Sequence, residues 1–312
     1  MASSPTVDTA AMLEKLNGDG YVVIENLLPA ETVADLRRRV DEILEREREE
    51  AFAGQPPAMA GPDDDHDFLP GIWDTSDEER AVWMERVRSQ QRQEFDTPWP
   101  VPDDEVCISF LHIPTFFDQG RSQRIFNLIN KDLAFAPLLE HPTALEMMDA
   151  ELGRDAVLLD VSVNHVGGHT DSGGWHVDSP ISQMQAPFPD FTLGVQTVWM
   201  LDDFTADNGA TLVAHESHRT LEGPPKGRVA LDNEVTLEAP AGSLAMWLSQ
   251  TWHRHGANTT DNPRCGLIVQ YGRGWVKPFV DLRTPLTAQQ AAQLSPRLRF
   301  MMGCSANAPV RG

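Results

Sequence analysis

Residues 173–180 read Gly173-Gly174-Trp175-His176-Val177-Asp178-Ser179-Pro180, and the reading of the whole chain turns on them. Glycines before and a proline after bracket a short extended segment, and in extended backbone residues i and i+2 point to the same side. An imidazole nitrogen of His176 and a carboxylate oxygen of Asp178 can therefore converge on one ion. A second histidine from a neighbouring strand would complete a two-histidine, one-carboxylate face, the ligand set that suits non-haem Fe(II) with positions left open. Taken alone, His-x-Asp is a weak signal, because a hydrogen-bonded pair reads the same way.

Outward from this stretch the chain reads as strands. The runs 156–166, 193–201, 242–248 and 265–272 are rich in apolar and β-branched residues, and segments rich in Gly, Asp, Asn and Pro join them. The first half is helical in character. A helix is expected over 9–16, then a break at 17–20 and a short strand, 21–24. After Pro29 the residues Val33, Leu36, Val40, Ile43 and Leu44 recur at helical spacing, opposite Arg37, Arg38, Arg39, Glu42 and Glu45. Further helices are expected over 122–152, and a last one from a capping box at Thr287 and Gln290. Helices first and short strands later predict the α+β class with a β-sandwich or barrel core. One elaborated domain over 1–312 is expected: strand and helix in 8–51, an insertion in 52–106, helical support in 107–155, the β core in 156–280, and a helix and tail in 281–312. The insertion is rich in Pro, Gly and Asp, with a helical centre that Ser76 and Glu79 could cap.

The third ligand should come from Trp252-His253-Arg254-His255-Gly256-Ala257-Asn258, which offers two histidines on one strand face. If 258–263 is a hairpin turn, the strand 252–257 pairs with the one starting at Arg264 and places that residue near His255. A guanidinium there would grip a carboxylate bidentately, which suits the far end of a dicarboxylic co-substrate whose other end chelates the metal. That separation favours His253 as ligand and Arg264 as anchor; the alternative is that His255 takes the ligand position.

These motifs, with 16–25, Trp199-Met-Leu-Asp-Asp203 and Asp207-Asn-Gly-Ala-Thr211, make the chain resemble the phytanoyl-CoA hydroxylase and ectoine hydroxylase group of Fe(II)/2-oxoglutarate oxygenases. The resemblance covers roughly residues 12–280 and implies a double-stranded β-helix, or jelly-roll, cupin-like core. It implies Fe(II), 2-oxoglutarate and O₂ as cofactors, with ascorbate as an accessory reductant. Thr211 matches a position that contacts 2-oxoglutarate in similar enzymes, and His255 stands where they often carry serine. Similar enzymes that halogenate have a small residue in place of Asp178, so hydroxylation, desaturation or a related oxidation is implied, with succinate and CO₂ as co-products. His215-Glu216-Ser217-His218 departs from the Pro-Gly-Ser-His common among relatives.

Composition narrows the partners. The net charge of −22 repels phosphate backbones and anionic bilayers, which argues against nucleic acid and membranes and mildly against coenzyme A thioesters. No run is apolar enough for a membrane helix, and the opening residues lack a secretory pattern, so a cytoplasmic protein with ordinary thiols at Cys107, Cys265 and Cys304 is expected. A small-molecule substrate from natural-product or amino-acid-derived metabolism fits, with Trp175 and Trp199 as candidate substrate contacts and 179–191 as a flap. His165, His169, His215 and His218 read as solvated or hydrogen-bonded side chains. Two other readings stay open: a jelly-roll metalloenzyme that needs no 2-oxoglutarate, against which Arg264 argues, and an inactive ligand-binding jelly roll.

Overall fold

The computed structural model describes residues 7–52, 115–118, 120–278, 280, 282–283 and 286–304. The Ser76 and Glu79 capping box and nearly all of 52–106 lie outside these. Helix α1 (Thr9–Asp19) starts on the Asp8 side chain, which accepts from Ala11 N, and ends at Gly20, whose φ of 90° places it in the left-handed region. A Cβ at Gly20 would lie 2.5 Å from His218 Nδ1, so glycine is needed there both for its backbone angle and for space. The chain turns directly into β1 (Tyr21–Ile24), the strand expected from sequence. Helix α2 (Ala30–Phe52) buries Val33, Leu36, Val40, Ile43 and Leu44, the stripe its spacing predicts.

The strands form two antiparallel layers. Introduced in chain order, they are β2 (Thr115–Phe117), β3 (Ser122–Ile125), β4 (Val157–Val166), β5 (Gly194–Met200), β6 (Thr211–Ala214), β7 (Glu234–Thr236), β8 (Leu244–Leu248), β9 (His253–His255) and β10 (Arg264–Gly272). A seven-stranded sheet has the order β1-β8-β5-β10-β4-β3-β2, and a three-stranded sheet the order β7-β6-β9. The larger sheet is covered on both sides, so its long strands read as nearly continuous apolar runs. Its two faces still separate by parity. Leu267, Val269, Tyr271, Val195 and Trp199 join α2 and the helical segment 128–152 in one large core. Val198, Met200, Ala245, Trp247 and Ile268 face the small sheet and pack on Val213 and Leu237. Each fully buried Val, Leu or Ile contributes about 1.5–3 kcal/mol, which holds helices, large sheet and small sheet in one stack.

Helix α1 runs through most of the break expected at 17–20, as far as Asp19, and two further expectations differ from this fold. Residues 122–125 are a strand, not the start of a helix: Ser122, Gln123, Arg124 and Ile125 carry no period-2 apolar signal, but pairing with the edge of β4 (Arg124 opposite Asn164) takes up their backbone groups. The expected hairpin between 252–257 and the strand from Arg264 does not form. β9 pairs with β6 on one side, and on the other His176 bridges His253 and Thr170 bridges Asn258. With both edges occupied, the chain crosses at 258–263 to the other sheet, guided by Asn258 Nδ2, which donates to Val166 O and Asn262 O. The last helix begins on the Thr287–Gln290 capping box, as its sequence predicts.

Candidate metal and co-substrate site

Residues 170–178 run extended along β9, with Gly173 N donating to His255 O and His176 and His253 exchanging backbone hydrogen bonds. This pairing sets the two histidines side by side, their rings 4.2 Å apart, and Asp178 follows two residues on, tied down where its N–H donates to Ser249 O. One ligand atom from each of His176, Asp178 and His253 falls within 4.8 Å of the other two. Among the described residues this is the group of His, Cys, Asp or Glu side chains able to hold a metal ion.

The donor chemistry fits a cation. His176 Nδ1 lies 3.0 Å from Gly174 O, and His253 Nδ1 lies 3.0 Å from Thr251 O. A carbonyl oxygen can only accept, so each ring carries its proton on Nδ1 and turns the Nε2 lone pair inward. His253 Nε2 stands 3.2 Å from Asp178 Oδ2, yet that buried oxygen accepts no aligned hydrogen bond. Such spacing is that of two ligands sharing one ion. Burial pushes the Asp178 carboxyl upward, but His253, His176 and Arg124 together outweigh it and hold the group below its ordinary value, ready as a carboxylate.

The cavity beside these residues runs toward Arg264, the first residue of β10, and Thr211, His255 and Gly266 also line it. Thr211 and His255 are direct cross-strand neighbours. Arg264 is only 2% exposed, donates to Gly209 O through one Nη, and lies 4.2 Å over the Phe204 ring. Its Nε has no partner, and among the described residues no carboxylate pairs with it. Burial lowers its pKa to about 10. A buried guanidinium in this state calls for an anion from outside the chain, and a dicarboxylate chelating a metal at its other end fits. Arg37, which contacts Asp202 at 3.1 Å, and Asp202, which accepts from Cys265 N at 2.8 Å, together clamp the start of β10 and so position Arg264.

Of the expected residues, the structure brings together His176, Asp178, His253, Thr211, His255 and Arg264. His253 rather than His255 joins the triad, since His255 sits two residues along β9 toward Arg264. The two tryptophans are placed otherwise. Trp199 points into the helix-covered core, its ring 5.0 Å from His141, because odd-numbered positions of β5 face away from the cavity. Trp175 ties down a loop by donating from Nε1 to Val229 O at 2.6 Å, with Arg254 stacked at 4.6 Å. Trp247 lines the cavity instead, its ring 4.9 Å from His253. Arg124, Asn164 and Gln196 line it too. Sequence reasoning missed them, although a polar residue at an inward parity position of a buried strand is a readable signal. Cys265 and Cys304 are free thiols, and among the described residues no helix is long and apolar enough to cross a membrane.

Dioxygenase af480 of Aspergillus fumigatus is 30% identical over 185 residues, covering 58% of this chain and 59% of that protein. An uncharacterized protein of Mycobacterium tuberculosis is 29% identical over 171 residues, covering 49% of this chain and 57% of its own. The chain thus spans a little under three-fifths of the length of these curated relatives. The solved non-heme monooxygenase ThoJ, in its apo form, shares the fold with a TM-score of 0.52 at 15% identity, over 86% of this chain and 80% of that one. The family model for phytanoyl-CoA dioxygenase matches residues 16–266, and by that match across most of its length this chain belongs to the phytanoyl-CoA dioxygenase family.

Proposed function

We propose that this chain is an Fe(II)/2-oxoglutarate-dependent oxygenase that oxidises a small organic molecule. The observation that carries the reading is the convergence of His176, Asp178 and His253 beside a buried arginine with no carboxylate of its own. His176, Asp178 and His253 hold the iron, and Arg264 holds the distal carboxylate of 2-oxoglutarate, with Thr211 and His255 beside it as hydrogen-bonding groups. When bound, iron and co-substrate supply the oxidising chemistry, consuming O₂ and releasing succinate and CO₂.

The protein's own contribution is placement. The carbonyls of Gly174 and Thr251 fix the two imidazoles in the tautomer that presents Nε2. Arg264, anchored by Gly209 and Phe204, sets the reach of the co-substrate from the metal position. Residues 179–191 follow Asp178, and Ile181 and Phe188 pack there with Val177 and Leu193, which steadies the chain leaving the triad. Hydroxylation, or a related oxidation such as desaturation, of a compound from natural-product or amino-acid-derived metabolism is the reaction we assign. A reducing cytosolic setting is consistent with the free thiols.

Succinate release from 2-oxoglutarate in air tests this reading. The wild type should release succinate in an Fe(II)-dependent manner. Asp178→Ala should abolish release while keeping the wild-type circular dichroism. Arg264→Ala should weaken 2-oxoglutarate by about 2–5 kcal/mol, the cost of losing one partner of a buried charge pair. An active Asp178→Ala protein would remove the metal assignment.

A further inference from the structure

The two histidines of the triad stand on one face of a short ribbon of two paired segments, and the opposite face of that ribbon carries a cation over an aromatic ring. His176 and His253 exchange both backbone hydrogen bonds. Continuing that antiparallel pairing by one residue sets Trp175 opposite Arg254, in the closer, non-hydrogen-bonded kind of pair. Side chains alternate along extended backbone, so these two leave the ribbon on the side away from the ligand rings. There they meet: the Arg254 guanidinium lies 4.6 Å over the Trp175 ring.

Both residues are nearly shut off from solvent, Trp175 at 5% exposed and Arg254 at 7%, and a cation–π contact is strongest where water is excluded. Arg254 Nη2 donates to Glu234 Oε2 at 3.1 Å, reaching past β6 to β7. Segment 227–231 lies against the pair: Trp175 N donates to Gly227 O, Trp175 Nε1 to Val229 O, and Leu231 N to the same Glu234 oxygen. Glu234 offsets the charge of Arg254, so the contact adds no net positive charge behind the metal position. Arg254 also borders the cavity, but its guanidinium is engaged with Trp175 and Glu234.

We infer that Trp175 and Arg254 are positioning residues for the metal: their stack, steadied by Glu234, clasps the two ligand-bearing segments from behind and holds the His176 and His253 rings at the separation one ion needs. Neither side chain touches the ion. Each acts through the backbone of the histidine next to it, as the carbonyls of Gly174 and Thr251 act through Nδ1. The inference rests on the reading of His176, Asp178 and His253 as the metal site.

Equilibrium titration of the anaerobic full-length protein with Fe(II), and with Co(II), whose visible bands report coordination geometry, tests the clasp in Arg254→Met, Arg254→Lys, Trp175→Leu and Trp175→Phe. Arg254→Met and Trp175→Leu should each raise the Kd for Fe(II) roughly tenfold, the low end for groups that orient metal ligands, and displace the Co(II) bands. The sign separates placement from charge, because removing a nearby positive charge by itself favours a bound dication. Trp175→Phe keeps an aromatic face but loses Nε1, and should bind Fe(II) within about twofold of wild type. Arg254→Lys lacks the planar guanidinium and should fall between wild type and Arg254→Met. These two milder variants decide the matter if the truncated ones do not fold. The clasp is overturned if Arg254→Met or Arg254→Lys binds Fe(II) as tightly as wild type, or if the Co(II) bands of Arg254→Met and Trp175→Leu stay in place. It is also overturned if Trp175→Phe loses as much affinity as Arg254→Lys or more, which would credit the Nε1 tie to Val229. A larger effect of Arg254→Met on the 2-oxoglutarate Kd at saturating Fe(II) than on the Fe(II) Kd would make Arg254 a co-substrate contact instead. A wild type that binds neither metal removes the metal site and the clasp together, whereas a wild type that binds both and variants that match it remove the clasp alone.

Discussion

At the scale of single residues, the site depends on which atoms are left without partners. Asp178 Oδ2 and Arg264 Nε are buried and unmet, and each points to a group the chain does not itself supply. His176, Asp178 and Arg264 were legible from spacing and charge. The separation from Arg264 favoured His253 over His255, and His253 is the one that joins the triad, but it is placed there by its pairing with His176 rather than by the hairpin assumed in that reading. Another residue has a measurable effect on stability. Burial, with Arg37 and Arg48 nearby, lowers the pKa of His165 from 6.5 to about 4. The folded protein keeps this ring neutral down to about 4, whereas the unfolded chain protonates it below its ordinary value. Its contribution is therefore fully present above pH 6.5 and is lost as pH falls toward 4. Denaturant titrations at pH 7 and pH 4.5 should show a loss on the order of 2 kcal/mol that His165→Gln largely removes. An equal loss in both proteins would assign the acid sensitivity to other groups.

At the scale of elements, long strands buried on both faces declare themselves in sequence and short shared ones do not. β4, β5, β8 and β10 each carry a run of β-branched and apolar residues, and were readable to within two residues at either end. β3 is Ser-Gln-Arg-Ile, and its strand conformation comes from the edge of β4 rather than from its own pattern. β9 is three residues long, and its partners, β6 and the segment 170–178, lie far away in sequence, so the adjacent strand from Arg264 was the natural but wrong partner. Arg264 still reaches the cavity near His255, because the two sheets face each other there. Gly266 on β10 keeps that space open: a Cβ would lie 2.8 Å from Val198 Cγ1 and 3.0 Å from Phe204 Cζ, the ring beneath Arg264. Gly266→Ala should cost about 1–3 kcal/mol through overpacking. By shifting Phe204 and Arg264 it should also raise the Kd for 2-oxoglutarate roughly tenfold while leaving Fe(II) affinity intact. Equilibrium titration of each ligand checks this, and an unchanged 2-oxoglutarate Kd would mean Arg264 is not the anchor.

At the scale of the whole molecule, helices pack on the outer face of the large sheet, the small sheet closes over its inner face, and the cavity lies between the two sheets. The α+β class and the jelly-roll core followed from the order of elements and from the resemblance. The two-sheet closure required pairings that join residues far apart in sequence. This arrangement makes a single claim: His176, Asp178 and His253 bind Fe(II), and Arg264 completes the site for 2-oxoglutarate. An anaerobic titration of the apo-protein with Fe(II) and 2-oxoglutarate, following the visible metal-to-ligand charge-transfer band in wild type, His253→Ala and His255→Ala, tests it most directly. The account predicts a band in wild type, its loss in His253→Ala, and its retention with weakened 2-oxoglutarate binding in His255→Ala. A band that survives in His253→Ala, or none in the wild type, would contradict it.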